Sequence, residues 1–262
     1  MDVAVVGQQD GRIEHRRRVQ PDDGPAYDKK NKIKPWLNKS WCIPTKQSGE
    51  FVAAMEDVLE VYKRKPNPHR PVICLDETSK QLVSETRVPI LAAPDRPKRI
   101  DYEYRRRGTT NIFMMSEPLR GHRHVKVTDR RTRVDFGHCI RDLVDVHYPD
   151  ATKIVLVMDN LNTHSIGSLY ETFTPAEARR LARKLEIHYT PKHGSWLNMA
   201  EIELSVLSRQ CCAGRVADQK TLANRIAQWE TNRNTARVTV NWQFTAPKAR
   251  IKLKQLYPKI LS

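Results

Sequence analysis

The sequence predicts an α/β fold, a mixed five-stranded sheet flanked by helices and preceded by a short basic N-terminal arm. Three observations predict it. Apolar runs of strand length occur at residues 72–75 and 153–158, the second carrying a near-continuous Ile-Val-Leu-Val-Met stretch of the kind buried on both faces of a sheet. Helical spacing recurs between such runs, as in Phe136, Ile140, Leu143, Val144 and His147. The length, 262 residues, suffices for one large core with a small appendage and does not require two.

Taken in order, residues 1–47 are rich in charge, Pro and Gly, carry Arg16-Arg17-Arg18 and Lys29, Lys30, Lys32 and Lys34, and read as a basic arm. Residues 48–70 hold a linker helix, with Phe51, Met55, Val58, Leu59 and Tyr62 at helical spacing and a stop before Pro66 and Pro68. Residues 71–262 form the main domain. Its first strand, 72–75, is followed by a polar excursion through Pro89, Pro94 and Pro97, then by strands at 110–115 and 124–128, read as two antiparallel partners of the first. A helix capped by Asp135 leads into the buried strand at 153–158. Thr174-Pro175-Ala176-Glu177 combines a capping box with Pro in the first turn and opens a basic helix through Arg179, Arg180, Arg183 and Lys184. A strand at 186–190, a helix carrying Glu201, and helical patterns at 222–229 and 249–256 complete the domain.

A net charge of +16 implies a polyanionic partner, since affinity for a phosphate backbone comes largely from counterion release. The excess is greatest over residues 161–262, where 16 Lys and Arg face 7 Asp and Glu. Cys42, Cys74, Cys139, Cys211 and Cys212 lack the spacing of a metal knuckle and indicate a reducing compartment. No apolar segment approaches the ~18 residues of a membrane span, and the N-terminus lacks the order of a secretory signal, which places the protein in the cytoplasm.

The order strand, strand, strand, helix, strand, helix, strand, helix is that of a ribonuclease H-like domain, whose first and fourth strands lie side by side. Asp76 closes Val-Ile-Cys-Leu-Asp and Asp159 closes Ile-Val-Leu-Val-Met-Asp, so both fall at the strand ends where open α/β sheets place their ligands. A third acid on the later helix would complete a metal-holding cluster. There Leu197, Ala200, Leu204 and Leu207 define the buried stripe, and Glu201 and Glu203 flank it on opposite sides. Periodicity does not choose between them.

Around these residues the chain resembles the DDE transposases of the Tc/mariner superfamily, specifically the bacterial six-thirty insertion-sequence family. The strings are Cys-Leu-Asp-Glu-Thr at 74–78, Val-Met-Asp-Asn-Leu-Asn-Thr-His at 157–164, and Tyr-Thr-Pro-Lys-His-Gly-Ser-Trp-Leu-Asn-Met-Ala-Glu at 189–201. In that family the last catalytic acid follows a Leu-Asn pair by three positions, which selects Glu201. The resemblance implies cut-and-paste DNA transposition at Asp76, Asp159 and Glu201, with two Mg²⁺ ions for which Mn²⁺ can substitute. It also implies double-stranded DNA partners, the terminal inverted repeats and a TA-containing target, with a homodimer in the DNA complex. Members carry an N-terminal helix-turn-helix region, of which Lys34-Pro35-Trp36-Leu37 resembles the tail; the chain is therefore expected to be N-terminally shortened. A host DNA nuclease of the same fold and an inactive DNA-binding remnant are the alternatives. A haloacid-dehalogenase-like hydrolase is disfavoured because position 78 is Thr.

Two basic clusters are candidate DNA contacts, Arg105-Arg106-Arg107 before the second strand and Arg179, Arg180 and Arg183 on the basic helix. Replacing Arg105, Arg106 and Arg107 together by Ala is expected to weaken DNA binding across sequences and to flatten its salt dependence. Binding titrations over a range of salt concentrations check this, and an unchanged slope rejects the first cluster.

Overall fold

The computed structural model describes residues 46–259, so the arm at 1–47 falls almost wholly outside the described residues. The chain runs through α1 (Gly49–Val61), β1 (Val72–Glu85), β2 (Tyr104–Glu117), β3 (His122–Thr128), α2 (Arg133–Asp142) with a π-turn at Leu143–His147, and β4 (Ile154–Met158). It continues with α3 (Ile166–Thr172), α4 (Pro175–Lys184), β5 (Leu185–Tyr189), α5 (Ala200–Gln210), α6 (Gln219–Thr235) and α7 (Ala246–Lys252). The five strands form one sheet in the order β3-β2-β1-β4-β5. β1 pairs antiparallel with β2 and parallel with β4, and β4 pairs parallel with β5. This is the mixed sheet of a ribonuclease H-like domain.

Alternation along the strands separates two cores, one on each face. Cys74, Ile112, Met114, Val155 and Val157 join α1, α5, α6 and α7 in the first; Ile73, Leu75, Phe113, Ile154, Leu156 and Met158 join α2, α3 and α4 in the second. All five residues of β4 are buried, which is why its sequence is an unbroken apolar run. The first layer carries α1 and the last three helices, the second α2, α3 and α4. α1 belongs to the first layer, with Phe51, Met55, Val58, Leu59 and Val61 buried there and Ser48 accepting the Phe51 N–H at its start.

Several local expectations are corrected. β1 has one antiparallel partner, because β3 pairs with β2 instead. β1 also continues to Glu85 and β2 begins at Tyr104, so the two form a long hairpin extending past the sheet centre; Arg105, Arg106 and Arg107 lie within β2, not before it. The second half of β1, Thr-Ser-Lys-Gln-Leu-Val-Ser-Glu, buries only Leu82 and so lacks the apolar signature of a strand. Thr132 caps α2, accepting from the Asp135 N–H while Asp135 returns a bond to the Thr132 N–H, so Asp135 is the far member of a capping box and not the cap. At α4 the anticipated box is not made: Pro175 opens the helix, but Thr174 makes no capping bond and Glu177 turns to Arg180. α3 has no counterpart in the sequence reading, and the last helix ends at Lys252, with a separate turn at Lys254–Leu256. Among the described residues no helix is long and apolar enough to cross a membrane.

A buried ionic cluster ties α5 and α6 to β3. Glu203 on α5 takes two bonds from Arg233 of α6, at 2.9 and 3.1 Å, and lies 3.2 Å from Nε of Arg123 on β3. Arg123 is 1% exposed; its Nη2 donates to the Val238 carbonyl, and Asn234 brackets its backbone on both sides. Beside it, the β2–β3 turn needs Gly121 at φ 65°, where a Cβ would meet the Arg237 backbone at 2.5 Å. Desolvation lowers the Arg123 pKa, opposed by the Glu203 charge. Removing one partner of such a cluster strands a buried charge, so Glu203→Ala is expected to lose about 3–5 kcal/mol of stability in urea unfolding. A loss below about 1 kcal/mol would show that the cluster is not needed to seat α5.

Candidate active site

Asp76 does not end β1, as the sequence suggested, but lies inside it; what ends there is the parallel pairing with β4, which stops at Cys74 and Val157. Beyond that point β1 pairs only with β2, and Asp159 directly follows the end of β4. Asp76 has the side-chain parity of Cys74 and faces the layer that holds α5. Glu201 sits half-exposed in the first turn of α5, whereas Glu203 is 2% exposed and committed to Arg123 and Arg233. Of the two glutamates that periodicity left open, Glu203 is thus occupied by a buried ion-pair cluster.

α5 is held in place by Asn198. Its side-chain N–H donates to the Leu75 carbonyl at 2.8 Å, next to Asp76, while its Oδ1 accepts the Ala200 N–H at 3.1 Å and so finishes the helix start. Tyr62 of the α1 C-terminus adds a second clamp, donating to the Leu197 carbonyl at 2.8 Å. The Leu-Asn pair therefore connects the helix that carries Glu201 to the strand that carries Asp76. The sequence offered this pair only as part of a family string; its role is visible in the hydrogen bonds.

The carboxylates share one electrostatic environment. Burial pushes Asp76 up to about 7, the Glu77 backbone N–H opposes this, and the charges of Glu201 and Asp159 raise it further. Burial works against the Asp159 charge as well, but His164 holds that carboxyl below its usual range. His164 Nδ1 lies 2.5 Å from Asp159 Oδ1, and its Nε2 lies 3.0 Å from Glu77 Oε2, off line for a well-directed hydrogen bond. Burial would lower the His164 pKa, yet the two carboxylates raise it to about 9. Arg131 stands 3.6 Å from the other Glu77 oxygen. Among the described residues no three His, Cys, Asp or Glu side chains are grouped so as to hold a metal ion.

The other sequence candidates are distributed differently. Arg105, Arg106 and Arg107 are exposed on β2, where Arg107 Nε donates to Ser84 and lines an open cavity of about 590 Å³ with Gly108, Thr109, Asp129 and Asp218. α4 packs in the opposite layer from α5, so Arg179, Arg180 and Arg183 are not brought to the acids; Arg180 is taken up by Asp145 and Glu177. His193 is exposed in the loop before α5 at φ 63°. His124 stacks on His147 of the π-turn at 3.6 Å, a companion that no sequence spacing revealed. Cys74 is buried beside Tyr62, and burial pushes its thiol up to about 12, in keeping with a packing role.

A family model described as DDE superfamily endonuclease matches residues 71–223, which contain all three acids. The chain belongs to this family. Solved structures share the ribonuclease H-like fold of DDE endonucleases. A pre-cleavage Mos1 transpososome matches at TM-score 0.53 and 12% identity, over 89% of this chain and 69% of that one. The Mos1 mariner paired end complex with Mn matches at TM-score 0.51 and 13% identity, over 86% and 64%. The Mos1 strand transfer complex matches at TM-score 0.51 and 13% identity, over 87% and 64%. The chain thus spans slightly under two thirds of the length of the latter two. No curated protein sequence matches it.

Asn198→Ala is expected to cost about 1–3 kcal/mol for each of the two buried groups it leaves unpaired. Glu201→Ala is expected to leave stability within about 0.5 kcal/mol of wild type. Urea unfolding of both variants checks this, and equal midpoints for the two would contradict the clamp.

Proposed function

We propose that the chain is a DNA transposase of the six-thirty insertion-sequence type, which cuts DNA at the ends of a mobile element and joins them to a target. The observation that carries this reading is the grouping of Asp76, Asp159 and Glu201 in one shared electrostatic environment, inside the segment matched by the endonuclease family. Related folds solved as paired-end and strand-transfer complexes support the same class of reaction.

The donor set suits divalent ions. Three carboxylates offer only oxygen, the preference of Mg²⁺, and the raised proton affinity of Asp76 is what a cation would reverse. Asp76, Asp159 and Glu201 would hold two ions, Asp159 serving one and Glu201 the other; Mn²⁺ is the expected substitute. Bound divalent ions stabilise charge at the phosphate and make an attacking water or 3′-hydroxyl more acidic. The chain's own part is placement. Asn198 keeps α5, and with it Glu201, against the strand that carries Asp76, while His164 contacts the Asp159 carboxylate.

The partner is double-stranded DNA, the terminal inverted repeats and a TA-containing target, gripped independently of sequence by exposed arginines such as Arg105 and Arg106. A homodimer would bring two ends together. The hairpin tip between β1 and β2 supports it, since Val88, Leu91 and Tyr102 are 92%, 77% and 85% exposed, the kind of apolar display that marks interaction surfaces.

Cleavage and strand-transfer assays on end-containing DNA should show product with Mg²⁺ and none with a chelator. Asp76→Ala, Asp159→Ala and Glu201→Ala should each lower the rate by at least about 1,000-fold, in line with the several kcal/mol that such ions supply. Equal cutting by wild type and variants would reject the reading.

A further inference from the structure

We infer that Glu77 and His164 are positioning residues that hold Asp159 ready for its metal ion, so that one side of the site is preformed and the other is not. The inference rests on the reading of Asp76, Asp159 and Glu201 as metal-holding acids.

Glu77 follows Asp76 in β1, and the alternation of the strand sends the two side chains to opposite faces. Asp76 faces the layer of α5, and Glu77 faces the layer of α2 and α3. His164 reaches Glu77 there from the loop ahead of α3, and the same ring turns its other nitrogen to Asp159. The imidazole is therefore a strut between the two catalytic strands, from the residue beside the first acid to the second acid itself. It is closely held. The ring is 1% exposed, Phe136 lies 5.1 Å from it, the His164 N–H donates to the Leu161 carbonyl at 2.9 Å, and the Tyr189 hydroxyl donates to the His164 carbonyl at 2.9 Å. Arg131 sits on the far side of Glu77 and keeps that buried acid from being an uncompensated charge.

Among the described residues the other two acids have no such support. Asp76 accepts only the Glu77 backbone N–H, at 2.8 Å, and Glu201 is half-exposed at the start of its helix. Partners behind a ligand orient it, and removing them typically costs 10–100-fold in metal affinity. The strut should therefore matter to the ion that Asp159 holds and not to the one that Glu201 holds.

The test is Mn²⁺ binding followed by electron paramagnetic resonance on the DNA-free protein, with cleavage as a second readout. His164→Ala should weaken one class of Mn²⁺ site by about 10-fold or more and leave the other unchanged. His164→Asn, whose amide N–H can take the place of Nδ1–H, should recover most of the loss, and Glu77→Ala should show the same selective weakening to a smaller degree. A circular dichroism melt of each variant separates this from unfolding. Unchanged Mn²⁺ affinity in folded His164→Ala, or equal loss at both sites, overturns the strut alone while Asp159→Ala still abolishes a site. If Asp159→Ala binds Mn²⁺ as wild type does, the reading of the acids falls, and the strut with it.

Discussion

The candidate site depends on one side-chain amide. Asn198 donates to the Leu75 carbonyl of β1 and accepts from the first turn of α5, so a helix that arrives late in the chain is tied to the strand that begins the domain. With the Tyr62 clamp, that bond sets where along β1 the helix starts. The distance in sequence is 123 residues, and closing such a loop carries an entropic cost that only a well-packed, fully bonded contact can offset. The buried Glu203 cluster completes the attachment from the other side of the helix. Together they divide the two glutamates between seating the helix and facing the acids of the sheet.

The sheet supplies the complementary half. β4 is buried on both faces and pairs in parallel with β1 only as far as Cys74, and the acids begin where that pairing stops. Strand alternation then sorts neighbouring residues to opposite layers, which lets Asp76 and Glu77 take different partners although they are adjacent. Like charges held half-buried are costly, and the raised proton affinity of Asp76 expresses that cost. Strongly shifted carboxylates cluster at functional sites, where burial and like charges are held together.

Much of this was legible in the sequence, and for identifiable reasons. The Ile-Val-Leu-Val-Met run announces a strand covered on both faces, and the order of elements yields the ribonuclease H-like topology. Hydrophobic periodicity found the buried stripe of α5 but left Glu201 and Glu203 tied, because both lie at its margins; the family string favoured Glu201, and the ion pairs that occupy Glu203 come from Arg123 and Arg233, which are remote in sequence. The long β1–β2 hairpin escaped notice because its outer half buries almost nothing, so it carries no alternation to detect. The roles of Asn198, Glu77 and His164 were likewise hidden, since each is made by a hydrogen bond or ion pair between distant segments and not by spacing. At α4 the capping pattern was present in sequence and unused in structure, because Glu177 finds a stronger, charged partner in Arg180.

The proposal that Asp76, Asp159 and Glu201 hold divalent metal together is open to direct observation. Crystals of the chain grown with Mn²⁺, with anomalous scattering measured at the manganese edge, test it most directly. Anomalous peaks are expected among these three carboxylates, with Asp159 still against His164. Peaks confined to other positions, such as the His124–His147 pair, or no peak among the three acids at Mn²⁺ concentrations that support cleavage, would contradict it.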